Sequence, residues 1–142
     1  MRNDERDLAA MLQRVLNAAL ARERKIFAEH QLPMWDYVAL VRLEEGASPS
    51  QSQLAVAMGR DRTRVIETID RLEQRALIRR RADPADRRNR IIELTTAGGR
   101  VLTACRADIR TMEQQLLAGL PPHDRDVFVR ALRSLDVTSS AP

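Results

Sequence analysis

Between Ser50 and Leu94 the chain carries, in order, a helix start signal, a glycine turn, a second helix and two short apolar runs flanking a turn-rich loop. Few folds accommodate that order. Ser50-Gln-Ser-Gln53 has the spacing in which a serine hydroxyl and a glutamine amide satisfy each other's backbone donors at a helix start. The helix it opens stops near Met58-Gly59, and Asp61 is a good N-cap for the next one. Val65, Ile69, Leu72 and Ala76 fall on one face of that second helix and predict its buried stripe. Two short helices joined by a tight glycine turn make a helix-turn-helix. Ile78-Arg-Arg-Arg81 and Arg90-Ile-Ile-Glu-Leu94 read as strands, and Ala82-Asp-Pro-Ala-Asp-Arg-Arg-Asn89 between them is rich in turn residues, so a β-hairpin wing follows.

Charge is concentrated in the same stretch. From Arg60 to Arg90 eleven arginines stand against six acidic residues, a net +5, whereas the whole chain is +4. A local excess points to an anionic partner, and three successive arginines at 79 to 81 reinforce it. Arginine's planar fork suits phosphate oxygens and the guanine edge; the only lysine is Lys25. Arg62 and Arg64 fall in the first turn of the second helix, where a cation opposes the helix dipole by about 0.3–1 kcal/mol. Fold stability gives no reason for them. A helix tip facing phosphates and base edges does, so Arg62, Thr63 and Arg64 are expected to contact DNA. Glu67, opposite the buried stripe, has two readings of equal weight: an acceptor for a cytosine amino group, or a surface partner of Arg64 or Arg71 at about 0.2–0.5 kcal/mol. Thr68 is a candidate for a phosphate or thymine methyl, and Ser50 and Gln51 for phosphate donation.

The flanks are helical. Leu8, Leu12, Val15, Ala19 and Ile26, with Met11, Leu16 and Leu20 alongside, predict a long first helix over residues 4–29. Pro33 separates it from a helix spanning Met34 to Leu43. Thr95 can cap a fifth helix to about Leu117, with Val101, Cys105, Ile109, Met112 and Leu116 on one face. A sixth, His123 to Leu135, is expected to bury Val127, Phe128, Ala131, Leu132 and Leu135, and the tail from Thr138 to Pro142 to be disordered. Aromatic residues make up 3% of the 142, so one domain with an aliphatic helical core is expected. Mixed charge at the N-terminus argues against a signal peptide or membrane span, and a lone Cys105 fits a reducing compartment, so a cytoplasmic protein is expected.

The run Gln53-Leu-Ala-Val-Ala-Met-Gly59, then Val65-x-x-x-Ile-Asp-Arg-Leu-Glu73, Asp83-Pro-x-Asp-Arg-Arg88 and Leu94-Thr-x-x-Gly98 resembles the MarR family of bacterial winged helix-turn-helix regulators. The resemblance implies a mainly α fold with a small β wing, in which a core at about 34–94 lies between dimerisation helices at about 4–29 and 95–136. It further implies a homodimer on double-stranded DNA with a pseudo-palindromic site, acting as a ligand-responsive repressor. In the wing, it implies that Asp86 orients Arg88 so that its guanidinium enters the minor groove, with Arg87 and Arg90 on phosphates. Relatives commonly take small aromatic or phenolic effectors near the junction where His30, Trp35, Asp36 and Tyr37 fall here, although a residue like Trp35 is more often core and one like His30 more often a surface or hydrogen-bonded residue. The match departs at Ala76, where relatives usually have Gly; a positive φ there would cost about 1 kcal/mol. It departs again at Glu67, where many relatives are neutral or basic.

Other classes find less support. His30 and His123 belong to no nucleophile elbow or zinc-type spacing, and no phosphate loop is present, so catalysis, a metal and a cofactor are not expected. The rivals kept are a winged-helix module that docks an acidic protein, and a redox-responsive regulator using Cys105. Cys105 lies on an apolar stripe, where an inert buried thiol is the simpler expectation.

Overall fold

The computed structural model describes residues 7–135; the tail at 138–142 and the first positions of the expected first helix lie outside them. Six helices and one hairpin follow in order: α1 (Leu8–Glu29), α2 (Met34–Glu44), α3 (Gln51–Met58), α4 (Arg62–Gln74), β1 (Ile78–Ala82), β2 (Arg90–Leu94), α5 (Thr96–Leu116) and α6 (Pro122–Ser134). The fold is mainly helical with a two-stranded antiparallel wing, as expected.

Local chemistry explains most boundaries. The side chains of Asp7, Ser50, Asp61 and Thr95 each accept a backbone N–H of the helix they precede, at 3.0–3.1 Å. Gly59 ends α3 in the left-handed conformation, φ 63°, which keeps the turn into α4 tight. Ala76 does the same after α4, at φ 56°, with a Cβ that opposes it. This corrects the expected stripe: Ala76 is exposed beyond the helix end, and the buried run passes from Leu72 to Leu77.

The core gathers Leu40, Leu54, Val65, Ile69, Leu72, Ile78, Ile92 and Leu102 between the helix-turn-helix, the wing base and α5. Strand pairing runs from Ile78 opposite Leu94 to Ala82 opposite Arg90. Ser48, in a stretch that reads as loop, adds a single rung on the other edge of β2: its N–H donates to the Ile92 carbonyl at 2.9 Å and its carbonyl accepts from the Ile92 N–H at 3.0 Å. The Leu94-Thr-x-x-Gly98 run fastens the wing to α5. Thr95 donates its N–H to the Leu77 carbonyl and its hydroxyl to the Ala76 carbonyl, at 3.1 and 2.7 Å. Gly98 passes so close that an added Cβ would sit 2.0 Å from the Leu77 oxygen.

The apolar stripes of the terminal helices are only partly covered. None of the α6 residues is buried: Val127, Leu132 and Leu135 are 43%, 45% and 62% exposed. Among the described residues nothing fully covers that face, and the outer half of α1 is likewise exposed at Leu8, Met11, Leu12, Val15 and Leu16. Leu12, Val15, Leu16 and Ala19 of α1 share a groove of about 390 Å³ with Phe128 and Leu132 of α6. Among the described residues no helix is long and apolar enough to cross a membrane.

Candidate nucleic-acid interface

The tip of α4, the start of α3 and the wing loop converge. Ser50, Gln51, Ser52, Arg62, Arg88, Asn89 and Arg90 line one notch of about 140 Å³. Five of these were expected from sequence, on three separate segments. Asn89 was not, and it explains the convergence: its side-chain amide donates to the Pro49 carbonyl and to Asp83 Oδ2, the latter at 3.1 Å, tying the wing loop to the residues before α3. An Asn in a turn gives no sign of such a partner forty residues earlier.

The wing loop is shaped by two aspartates. Asp83 accepts the N–H of Ala85 at 2.9 Å, and Asp86 accepts the N–H of Arg88 at 3.0 Å. The Ala85 N–H, together with the Asn89 amide, holds the Asp83 carboxyl below its ordinary range. Asp86 thus engages Arg88 through its backbone N–H and not through its guanidinium. Arg90 turns back on its own loop, donating from Nη1 to the carbonyls of Arg87 and Asn89 at 2.9 and 3.1 Å.

The arginines divide into two sets. Arg79 and Arg81 both grip Glu93, whose carboxyl is held low first by Arg81 and then by Arg79. Arg80 pairs with Asp70 and Glu73, and Arg71 with the buried Asp36 at 2.6 Å. The strand arginines therefore neutralise acids of their own fold, and their weight as a sign of an anionic partner falls. Arg64 leans on Asp61 at 3.4 Å. Among the described residues Arg62, Arg87, Arg88 and Arg90 have no carboxylate partner, and all four are exposed.

Other expected positions resolve individually. Thr63 and Glu67 are exposed on α4. Glu67 pairs with neither expected arginine, because Arg64 has turned to Asp61 and Arg71 to Asp36. Thr68 is 1% exposed and its hydroxyl accepts from Arg71 at 3.2 Å, so it belongs to the seat of α4 and not to its outer face.

Each of the four junction residues has a protein partner of its own. His30 Nε2 lies 2.6 Å from Asp108 Oδ2, the Trp35 ring lies under the Arg60 guanidinium at 4.3 Å, and the Tyr37 ring packs on Phe27 with centroids 5.3 Å apart. Asp36 is buried and its two oxygens accept from Arg71. A cavity of about 400 Å³ opens beside them, lined by Arg24, Phe27, Ala28, Gln31, Leu32, Pro33 and Met34. Its apolar lining is indistinguishable from core in the sequence. Cys105 is fully buried, and burial, with Asp108 and Glu23 adding, pushes its thiol up to about 11. The thiolate a redox sensor needs is suppressed, which removes the support for that reading.

A helix-turn-helix whose second helix and wing loop hold unpaired arginines around one notch defines a winged helix-turn-helix protein. A model described as the MarR family matches residues 32–89. The chain is 28% identical to the transcriptional repressor NicR of Pseudomonas putida, over 94% of this chain and 87% of that protein. Among solved structures, a probable transcriptional regulator from Pseudomonas aeruginosa is 30% identical with a TM-score of 0.67, covering 93% of this chain and 98% of that one. CouR from Rhodococcus jostii RHA1, bound to p-coumaroyl-CoA, is 26% identical with a TM-score of 0.73 over the full length of both chains. CouR bound to a 23-mer DNA duplex aligns with a TM-score of 0.76 at 26% identity, over 92% of each chain. The chain belongs to the MarR family and is a transcriptional regulator; its curated relatives are regulators, not enzymes.

Proposed function

We propose that this regulator is a cytoplasmic homodimeric repressor that binds a pseudo-palindromic operator and releases it when a small aromatic or phenolic ligand binds. The whole chain acts as one domain, with a core at about 34–94 carried between dimerisation helices. One observation carries the DNA-binding reading: residues from α3, α4 and the wing, distant in sequence, line a single notch whose arginines lack acidic partners. Arg62, Thr63, Arg64 and Glu67 meet the major groove, Arg88 the adjacent minor groove, and Ser50, Gln51, Arg87 and Arg90 phosphates. Asp86 serves by shaping the loop backbone under Arg88.

Dimerisation is supported by the bare apolar faces of α1 and α6 at opposite chain ends, which a symmetric copy would cover. Ligand response is supported by CouR, whose structures carry p-coumaroyl-CoA in one case and DNA in the other. The 400 Å³ junction cavity, with Arg24 and Gln31 in a mostly apolar lining, is a better receptacle than the four residues expected from sequence.

Selection of duplexes from a random pool, followed by salt titration on the winner and on scrambled DNA, tests the reading. The expected result is strong discrimination, with log affinity falling against log salt at about −0.9 per phosphate neutralised. Equal binding of selected and scrambled duplexes would instead favour the module that docks an acidic protein. Sedimentation should give a dimer; a DNA-binding monomer contradicts the symmetric site.

A further inference from the structure

We infer that Arg75, assisted by Arg71, is a positioning residue that sets the angle of α4 by clamping its C-terminal end to the junction between α1 and α2. The inference rests on the DNA-binding reading of α4.

The last turn of α1 has no basic residue of its own, and its final carbonyls lie at the negative end of the helix dipole. A cation from another element serves them. Arg75 Nη1 donates to the Gln31 carbonyl and Nη2 to the His30 carbonyl, so one guanidinium bridges the ends of α1 and α4. Gln31 presents its carbonyl from a left-handed backbone, φ 51°, a conformation that a non-glycine residue holds only under constraint. One turn earlier on the same face of α4, Arg71 closes a two-pronged pair on Asp36 in the first turn of α2 and also reaches Thr68.

Apolar packing by Val65, Ile69 and Leu72 holds α4 on the core but is non-directional, so it tolerates rotation. The arginine hydrogen bonds are directional and all act at the helix's rear half. The thirteen-residue helix puts its tip about 20 Å from this anchor, so a tilt of about 10° there moves Arg62 by about 3 Å, more than a base contact tolerates.

The test is Arg75→Gln and Arg75→Lys in the full chain, against a duplex selected by the wild type. Positioning predicts that Arg75→Gln stays folded and dimeric, loses about tenfold or more in specific affinity and keeps the wild-type salt slope, because no phosphate contact is lost. Arg75→Lys, which keeps a long cationic donor beside the C-terminal end of α1 where Gln offers only a shorter neutral one, recovers part of the loss. Three results overturn the inference: unchanged affinity, a slope shallower by about 0.9 per half-site, which marks a direct phosphate contact, or a Lys variant as weak as Gln. A wild type that selects no duplex would instead sink the DNA-binding reading, which keeps the two failures apart.

Discussion

The two ends of α4 are built on opposite principles. At the leading end Arg62 and Thr63 are exposed, Arg64 makes one loose contact with the capping Asp61, and cations stand where the helix dipole disfavours them. At the trailing end both cations are engaged, Arg71 on Asp36 and Arg75 on the carbonyls of residues 30 and 31, and the α4 acids Asp70 and Glu73 are taken by Arg80 of β1. Position along one helix thus decides whether an arginine holds the fold or remains available for a partner. Counting charge along the sequence does not separate the two.

Removing the leading-end set should have the largest effect on binding and almost none on folding. Arg62→Ala with Arg88→Ala is expected to weaken operator affinity about a hundredfold while the melting temperature stays within about 2 °C; fluorescence anisotropy and calorimetry check both halves. The trailing end should answer in the reverse sense. Asp36→Ala leaves Arg71 without its buried carboxylate and should cost about 2 kcal/mol in urea unfolding, less than a fully buried pair because Arg71 is itself half exposed. Ala76→Gly relieves the left-handed strain just beyond α4 and should add about 1 kcal/mol with operator affinity unchanged. Loss of stability, or of affinity, in that variant would mean Ala76 does more than end a helix.

The smallest effect is a pH dependence. Hydrogen bonds from Arg81 and Arg79 lower the folded-state pKa of Glu93 below its ordinary 4.5, so folding is favoured by its ionisation. That contribution is complete above about pH 5 and fades as pH falls through the lowered folded value. Glu93→Gln should flatten the acid limb of a thermal-stability profile; an unaltered limb would show that the strand pairing contributes nothing measurable.

Helix starts and the wing loop were legible because their signals are local. Ser50, Asp61 and Thr95 act within three residues of themselves, and Gly59 governs its own turn. Thr68 was misjudged because it lies at the margin of the apolar stripe, and only the approach of α2 decides that the margin is buried. The Ser48 rung, the Asn89 tether and the pairings of Arg79 to Arg81 join residues many positions apart, which periodicity does not register. The helix at residues 122–134 shows the limit of such patterns: an amphipathic stripe establishes that a face wants cover, not that its own chain supplies it.

The near-contact between position 98 and the Leu77 oxygen has a consequence for how such a protein can change over time. Any residue larger than glycine there would wedge the hairpin off α5, so the pivot on which the wing is mounted admits no variation. At its far end Asp83, Asp86 and Asn89 hold the loop in shape, but its exposed positions such as Arg87 and Arg88 are under no such steric restriction. New side chains at the tip can be tried one at a time while the mount keeps its aim, which lets the sequences it reads diverge without the scaffold being rebuilt.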